Sequence, residues 1–171
     1  MDTRARRTPA AVRALIESIP AERTFGYLTR LLYIDLRRML HKGLESHGLT
    51  SGVWYYLWAL WNEDGITQRE LGERVHIKEA STTVTLRLME RDGLIARKRS
   101  TEDRRSMHVH LTARGRNLQR ELAPISLLGN LTALHGFSKD EVVAMLGFME
   151  RAVANLEAFA NVAPRARTRA S

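Results

Sequence analysis

The sequence predicts a mainly α-helical chain carrying one small β-hairpin, and three observations lead there. Apolar residues recur at three- and four-residue spacing through two long segments, residues 28–40 and 142–156. Two short helix signals separated by a tight turn lie in the middle of the chain. Directly after them, two short runs read as strands around a polar tip. The 171 residues, 44% of them hydrophobic, suffice for one compact domain or a small domain with added helices. A chain this apolar also offsets its ordering entropy, which argues against wholesale disorder.

Each element has its own signal. Thr8-Pro9 reads as a helix cap followed by proline at the first helical position, opening a short helix that stops at Pro20. A longer amphipathic helix is expected from about Arg23 to Ser46, with the stripe Leu28, Leu31, Leu32, Leu36, Met39 and Leu40, and Gly48 as its stop. Ser51 to Asn62 form a third, aromatic-rich helix, and Asp64-Gly65 a turn. Thr67-Gln68-Arg69-Glu70 is a capping box, in which the Thr hydroxyl accepts from the Glu70 amide while the Glu70 carboxylate reaches back. It opens a short helix burying Leu71 and Val75; after a turn at residues 76–78 another helix runs from Glu79 to Asp92 and ends at Gly93. Leu94–Arg99, the tip Ser100–Ser106 and Met107–Leu111 make the hairpin. Thr112 is placed to cap a helix from Ala113 to about Leu122, with continuation past Pro124 to Leu134 left open. Ser138-Lys139-Asp140-Glu141 is a second capping box; the last helix carries Val142, Met145, Leu146, Met149, Val153 and Leu156. The stretch 164–171 reads as a basic, disordered tail, and no internal repeat is visible.

Composition narrows the function. There is no cysteine, which removes disulfides, thiolate metal sites and thiol nucleophiles, and makes the cytoplasm the expected compartment. The N-terminal arginines are not followed by the apolar core of a signal peptide. The uncharged stretches Ser46–Asn62 and Leu122–Ser138 are broken by Gly, Asn, His or Pro and fall short of a membrane span, so no membrane role is expected. The net charge of +8 is local. Between Arg87 and Arg116 nine Lys/Arg stand against four acids, the first eight residues add +2, Arg165, Arg167 and Arg169 add +3, and the remainder nets −2. A confined basic segment suits a polyanionic partner, although a solvated charged face is the plainer reading of composition alone. Enzyme signatures are lacking: Gly43 and Gly48 have phosphate-loop spacing, but Leu49 follows where lysine is needed, and no G-x-S-x-G, dinucleotide fingerprint or H-E-x-x-H occurs. No cofactor is expected.

Four runs together resemble the MarR (multiple antibiotic resistance regulator) family. Ile66–Val75 is similar to the first helix of that family's reading head, and Ser81–Ile95 to its recognition helix leading into the wing. Asp103-Arg104-Arg105-Ser106 matches its Asp-x-Arg wing motif, and Leu111-Thr112-x-x-Gly115 the start of its dimerisation helix. The resemblance runs from about Leu49 to Arg116. It implies a fold that is mainly α with a small β-wing: a winged helix-turn-helix domain over 49–111, flanked by an N-terminal dimerisation helix (23–48) and C-terminal dimerisation helices (112–163), after an N-terminal extension with a short helix (1–22). It implies a sequence-specific, double-stranded DNA-binding regulator, a repressor by expectation, that reads a palindromic operator as a homodimer and answers to a small ligand.

On that resemblance the DNA-facing residues are Lys78, Ser81, Thr83, Val84, Arg87, Arg97, Arg99, Arg104 and Arg105, with Asp103 bracing the wing arginines. Small hydroxyls and guanidinium groups near a helix N-terminus suit base edges and phosphates, and an inserted wing arginine suits a narrow minor groove. Helical spacing permits two registers. In the family register Thr82, Thr85, Leu86 and Met89 face inward; in the other, Ala80, Val84 and Leu88 form the buried stripe. Lys78 departs from the side-chain oxygen cap common in the family, since lysine cannot accept from free amides. Trp54, Trp58 and Trp61 recur at i, i+4 and i+7, either as core or, with Tyr33, Arg37 and His41, as a pocket for an aromatic or phenolic acid. Thiol-based peroxide sensing, used by some relatives, is excluded by the lack of cysteine. Two alternatives stand beside this reading: a sequence-neutral architectural DNA protein, and a metal-responsive regulator using histidines such as His108 and His110.

Overall fold

The computed structural model describes residues 8–99 and 106–160; the expected roles of Asp103, Arg104, Arg105 and the 164–171 tail lie outside the described residues. The chain divides at Asn130/Leu131 into two compact units. The first holds α1 (Ala10–Ser18), α2 (Phe25–Glu45), α3 (Ser51–Asn62), α4 (Gln68–Arg74), α5 (Glu79–Arg91), β1 (Ile95–Arg99), β2 (Met107–Leu111) and most of α6 (Ala113–Ala133). The second holds α7 (Lys139–Ala160). The fold is thus mostly helical with one two-stranded antiparallel sheet.

Two starts differ from expectation by a residue or two. Pro9, not Thr8, is the cap of α1: its ψ of 139° is extended, while its carbonyl accepts from the Arg13 amide at 3.0 Å. A single 3-10 turn, Ala21–Arg23, occupies the place where the second helix was expected to begin. Thr24 then caps α2, its hydroxyl accepting from the Tyr27 amide at 3.4 Å.

The core of the first unit is built around α3, because its apolar residues are not confined to one stripe. Val53, Trp54, Tyr56, Leu57, Ala59 and Leu60 are all buried. They meet Leu40 and Leu44 of α2, Leu71 of α4, Leu86 and Met89 of α5, Ile95, Val109 and Leu111 of the hairpin, and Leu122 of α6. Each fully buried aliphatic side chain contributes about 1.5–3 kcal/mol before ordering entropy is subtracted. The α2 stripe behaves differently along its length: Leu40 is buried, whereas Leu28, Leu31 and Leu32 are exposed.

The hairpin pairs Ile95 with Leu111 through Arg99 with Met107. Leu94 stays outside β1 because its amide donates to the Met89 carbonyl at 2.9 Å, closing α5. The outer edge of β2 is covered where Gly65 and Val109 exchange with Ile66 and one another: the Gly65 amide donates to Val109 at 3.0 Å, and the Val109 amide to Ile66 at 2.9 Å.

At the base of the wing, Thr112 caps α6 as expected, accepting from the Gly115 amide at 3.1 Å. The helix runs unbroken through Pro124, which resolves its end at Ala133 although Pro removes one helical donor. Gly115 is required by close approach: a Cβ there would lie 2.1 Å from the Leu94 backbone oxygen. In the second unit, the predicted box forms, with the Ser138 amide donating to Glu141 at 2.8 Å and the Glu141 amide to the Ser138 hydroxyl at 3.3 Å. Along α7, Val143, Leu146, Phe148, Met149, Val153, Leu156 and Phe159 are exposed. Among the described residues no helix is long and apolar enough to cross a membrane.

Candidate nucleic-acid interface

The helix-turn-helix begins with the capping box that opens α4: the Thr67 amide and hydroxyl donate to the Glu70 carboxylate at 2.8 and 2.7 Å, and the Glu70 amide donates to the Thr67 hydroxyl at 3.2 Å. The two bonds that reach the carboxylate, from the Thr67 hydroxyl foremost and then the Thr67 amide, hold the Glu70 carboxyl below its ordinary pKa. The chain then reverses at His76, whose φ of 53° is left-handed. The Ile77 amide returns to the Gly72 carbonyl at 3.1 Å. Gly72 matters here because a Cβ would meet the Thr82 hydroxyl at 3.1 Å, so its absence lets α5 settle tightly on α4.

Buried polar bonds fix the rotation of α5. The Tyr56 hydroxyl, fully buried in α3, donates to the Thr82 hydroxyl oxygen at 3.0 Å, and Thr82 donates to the Ile77 carbonyl at 3.5 Å. Thr82, Leu86 and Met89 therefore face the core, Thr85 is half-buried, and Val84 and Leu88 face outward. Of the two registers that spacing allowed, the molecule adopts the one implied by the family. Tyr56→Phe removes one hydrogen bond but leaves Thr82 its carbonyl partner. It is expected to lower stability by about 1 kcal/mol, read as a shift in the urea unfolding midpoint.

The outward face of α5 carries Ser81, Val84 and Arg87, all exposed, with Thr83 half-buried beside them. Lys78 is the N-cap residue, exposed and without a side-chain cap bond, which leaves its ammonium free to point outward. Arg87 makes no ion pair or hydrogen bond among the described residues. Thr83 accepts from the Gln68 side-chain amide at 2.9 Å. Flanking charges are internally paired: Arg69 with Glu73 at 3.0 Å, Arg74 with Glu63 at 2.6 Å.

Arg97, expected to face DNA, is engaged within the molecule. Its guanidinium is half-buried and bonded to Glu90 of α5 at 2.9 and 2.6 Å, while its backbone amide also donates to Glu90 at 3.1 Å. A guanidinium held this way braces the wing against the recognition helix. Lys98 and Arg99, by contrast, are exposed at the end of β1. The Arg97 side chain, more than any other group, holds the Glu90 carboxyl below its ordinary pKa. A lowered folded pKa stabilises the protein above the unfolded value and loses that contribution as pH falls through the folded value. The melting temperature of Glu90→Gln is therefore expected to lie below wild type at neutral pH, with the gap closing in acid.

Sequence reasoning missed Tyr56, Gln68, Glu90 and Asp64. Asp64 accepts from the Leu111 amide at 2.8 Å and from Arg116, tying the α3 turn to the foot of the wing. Each bond joins residues 7 to 52 positions apart, as between Glu90 and Arg97 or Asp64 and Arg116, so local spacing carries no signal for them.

Residues 49–107 match the MarR family model. The organic hydroperoxide resistance transcriptional regulator of Bacillus subtilis (strain 168) is 34% identical over 98 residues, covering 56% of this chain and 67% of that protein. The chain belongs to the MarR family. The HTH-type transcriptional regulator SarZ of Staphylococcus haemolyticus is 32% identical over 99 residues, covering 56% and 67%. Among solved structures, a MarR transcriptional regulator from Methanosarcina mazei Go1 is 26% identical at a TM-score of 0.70, covering 77% of this chain and 96% of that one. Two more share the fold: S. aureus MepR in complex with DNA (23% identity, TM-score 0.73, covering 77% and 98%) and PcaV from Streptomyces coelicolor (24%, 0.67, covering 80% and 96%). This MarR protein is accordingly a winged-helix, DNA-binding transcriptional regulator, and its relatives are regulators rather than enzymes.

The five residues expected to bind an effector do not share one hollow in this MarR chain. Arg37 and His41 line a hollow of about 440 Å³ with Ile34, Arg38, Thr50 and Ser51. Trp54 and Trp58 line another of about 300 Å³, with Trp61 and residues of α6. The tryptophans also differ: Trp54 is 4% exposed and stacks edge-on against Trp61 at 5.5 Å, whereas Trp58 is 56% exposed. The stripe is thus core at one position and surface at another. Tyr33 is exposed and, with Arg37, influences Tyr55, whose hydroxyl is pushed up in pKa mainly by burial. Arg38 and His41 face acids of their own helix, Asp35 and Glu45; Arg37 has no acidic partner among the described residues. His108, weighed as a metal ligand, donates from Nδ1 to the Gly65 carbonyl at 2.8 Å, and no group of three metal-ligating side chains occurs among the described residues.

Proposed function

We propose that this chain is a homodimeric repressor that reads a palindromic operator and is released by a small aromatic or phenolic acid. The observation that carries the reading is the outward face of α5, where Ser81, Val84 and Arg87 are exposed around Thr83 while Thr82, Leu86 and Met89 anchor the helix. Lys78 at its start and Lys98 and Arg99 at the end of β1 are assigned the flanking phosphate contacts; the family resemblance assigns Arg104 and Arg105 to the DNA and Asp103 to bracing them, residues that lie outside the described ones. A single reading head buries too little surface for tight binding, and two related by a two-fold axis place their helices one helical turn apart. The exposed apolar residues of α2, and separately those of α7, supply the surfaces for pairing.

The effector reading is supported by Arg37 and His41 at one hollow, a cation and an imidazole suited to a carboxylate. PcaV was solved in complex with its natural ligand, and regulation of Bordetella bronchiseptica BpsR by 6-hydroxynicotinic acid is described for that protein. With no cysteine in the chain, the signal has to arrive by non-covalent binding or other non-thiol chemistry.

The test is competition binding. Purified protein is expected to prefer the DNA upstream of its own gene over random duplex by at least roughly a thousandfold. Arg105→Ala is expected to weaken that binding and lower the slope of log affinity against log salt by about one. Equal affinity for both DNAs would favour a sequence-neutral architectural role instead. Trp fluorescence is expected to change with an active aromatic acid at the concentrations that release DNA.

A further inference from the structure

The three threonines of α5 use their hydroxyl protons differently. Thr82 donates to the Ile77 carbonyl and Thr85 to the Ser81 carbonyl at 3.1 Å. Thr83 lies between them, yet its hydroxyl makes one bond among the described residues, and in it the oxygen is the acceptor: the Gln68 side-chain amide donates at 2.9 Å. Gln68 and Thr83 are both half-buried, on separate helices, so the pair is held by the packing of α4 on α5. A hydroxyl whose oxygen already accepts keeps its proton for a different partner. Thr83 stands on the outward face between Ser81, Val84 and Arg87, where that proton is available to a ligand.

We infer that Gln68 is a positioning residue that sets the polarity of base readout by Thr83. With one lone pair occupied by Gln68 and its proton unspent, Thr83 meets DNA foremost as a hydrogen-bond donor and favours a base edge that accepts, namely a purine N7, guanine O6 or thymine O4. Without Gln68, the same hydroxyl rotates and either donates or accepts, so the selectivity is a property of the pair. This rests on the reading of α5 as the base-contacting helix.

In vitro selection of binding sites from a random duplex pool, using the full-length protein, tests it. Gln68→Glu is the decisive variant: a carboxylate only accepts, so it takes the Thr83 proton and leaves the hydroxyl oxygen facing the groove. At one position per half-site the wild type is expected to enrich accepting edges. Gln68→Glu is expected to shift that position toward the donors cytosine N4 or adenine N6, by roughly three- to tenfold in relative enrichment. Gln68→Met and Thr83→Val are expected to flatten the same position and leave the rest of the motif in place. A general loss of affinity from added negative charge or altered packing moves all positions together and does not produce this reversal. An unchanged motif in both Gln68 variants overturns the Gln68 assignment alone. A wild-type pool that enriches no motif overturns it together with the regulator reading.

Discussion

Gly115→Ala is expected to cost the folded state about 3 kcal/mol or more, the largest stability effect of any single methyl in the first unit. The added Cβ would fall 2.1 Å from the Leu94 carbonyl oxygen. That oxygen belongs to a rigid junction: it accepts from the Thr112 amide at 3.0 Å and the Thr112 hydroxyl at 3.1 Å. The Gly115 carbonyl is itself engaged, accepting from the Trp61 indole at 2.9 Å. Relief therefore requires α6 to move off both the wing and α3, disturbing two sets of half-buried bonds at once. Urea unfolding followed by Trp fluorescence reads the loss. Trp61→Phe, which removes the indole donor and trims the ring that packs on Trp54, leaves the α6 backbone in place and is expected to lose less, about 1–2 kcal/mol. If Gly115→Ala unfolded at the wild-type midpoint, the close packing of α6 on Leu94 would be disproved.

Arg87→Ala is expected to have the largest effect on DNA binding among the described residues, with almost none on stability. Arg87 is exposed and lacks an intramolecular partner among the described residues, so removing it breaks nothing in the fold. A guanidinium in the major groove contributes about 1–3 kcal/mol of discrimination when it meets guanine O6 and N7. The expected loss is correspondingly some five- to 150-fold in affinity for the specific site. Arg97→Ala is expected to behave in the opposite way. Its guanidinium is bound to Glu90, so the substitution frees a carboxylate beside the wing and lowers stability along with binding. Melting temperatures measured beside binding isotherms separate the two arginines.

That contrast shows what was legible in the sequence. Most helix boundaries, both capping boxes, the hairpin and the order of elements follow from local chemistry, because caps, glycine stops and apolar periodicity act within a few residues. The identity of the reading head was legible too, from four short runs in the right order. The division of labour among its basic residues was not. Arg97 and Arg99 are equally cationic and two residues apart; only the pairing of β1 with β2 and the position of Glu90 on α5 decide that one braces and the other faces solvent. The rotation of α5 was likewise ambiguous, since Ala80, Val84 and Leu88 fit helical periodicity as well as Thr82, Leu86 and Met89 do. The buried bond from Tyr56 to Thr82 settles it, across 26 residues of sequence. The aromatic stripe of α3 lines a hollow apart from the one at Arg37 and His41, and helix periodicity alone does not say that the core covers Trp54 and leaves Trp58 exposed.

A hydroxyl-radical footprint on the DNA flanking the gene probes the central claim most directly, namely that two copies of α5 and its wing occupy successive grooves. Two protected patches are expected on one face of the duplex, about one helical turn apart and related by the symmetry of the site. Uniform protection along the fragment, or a single unpaired patch, would contradict that claim.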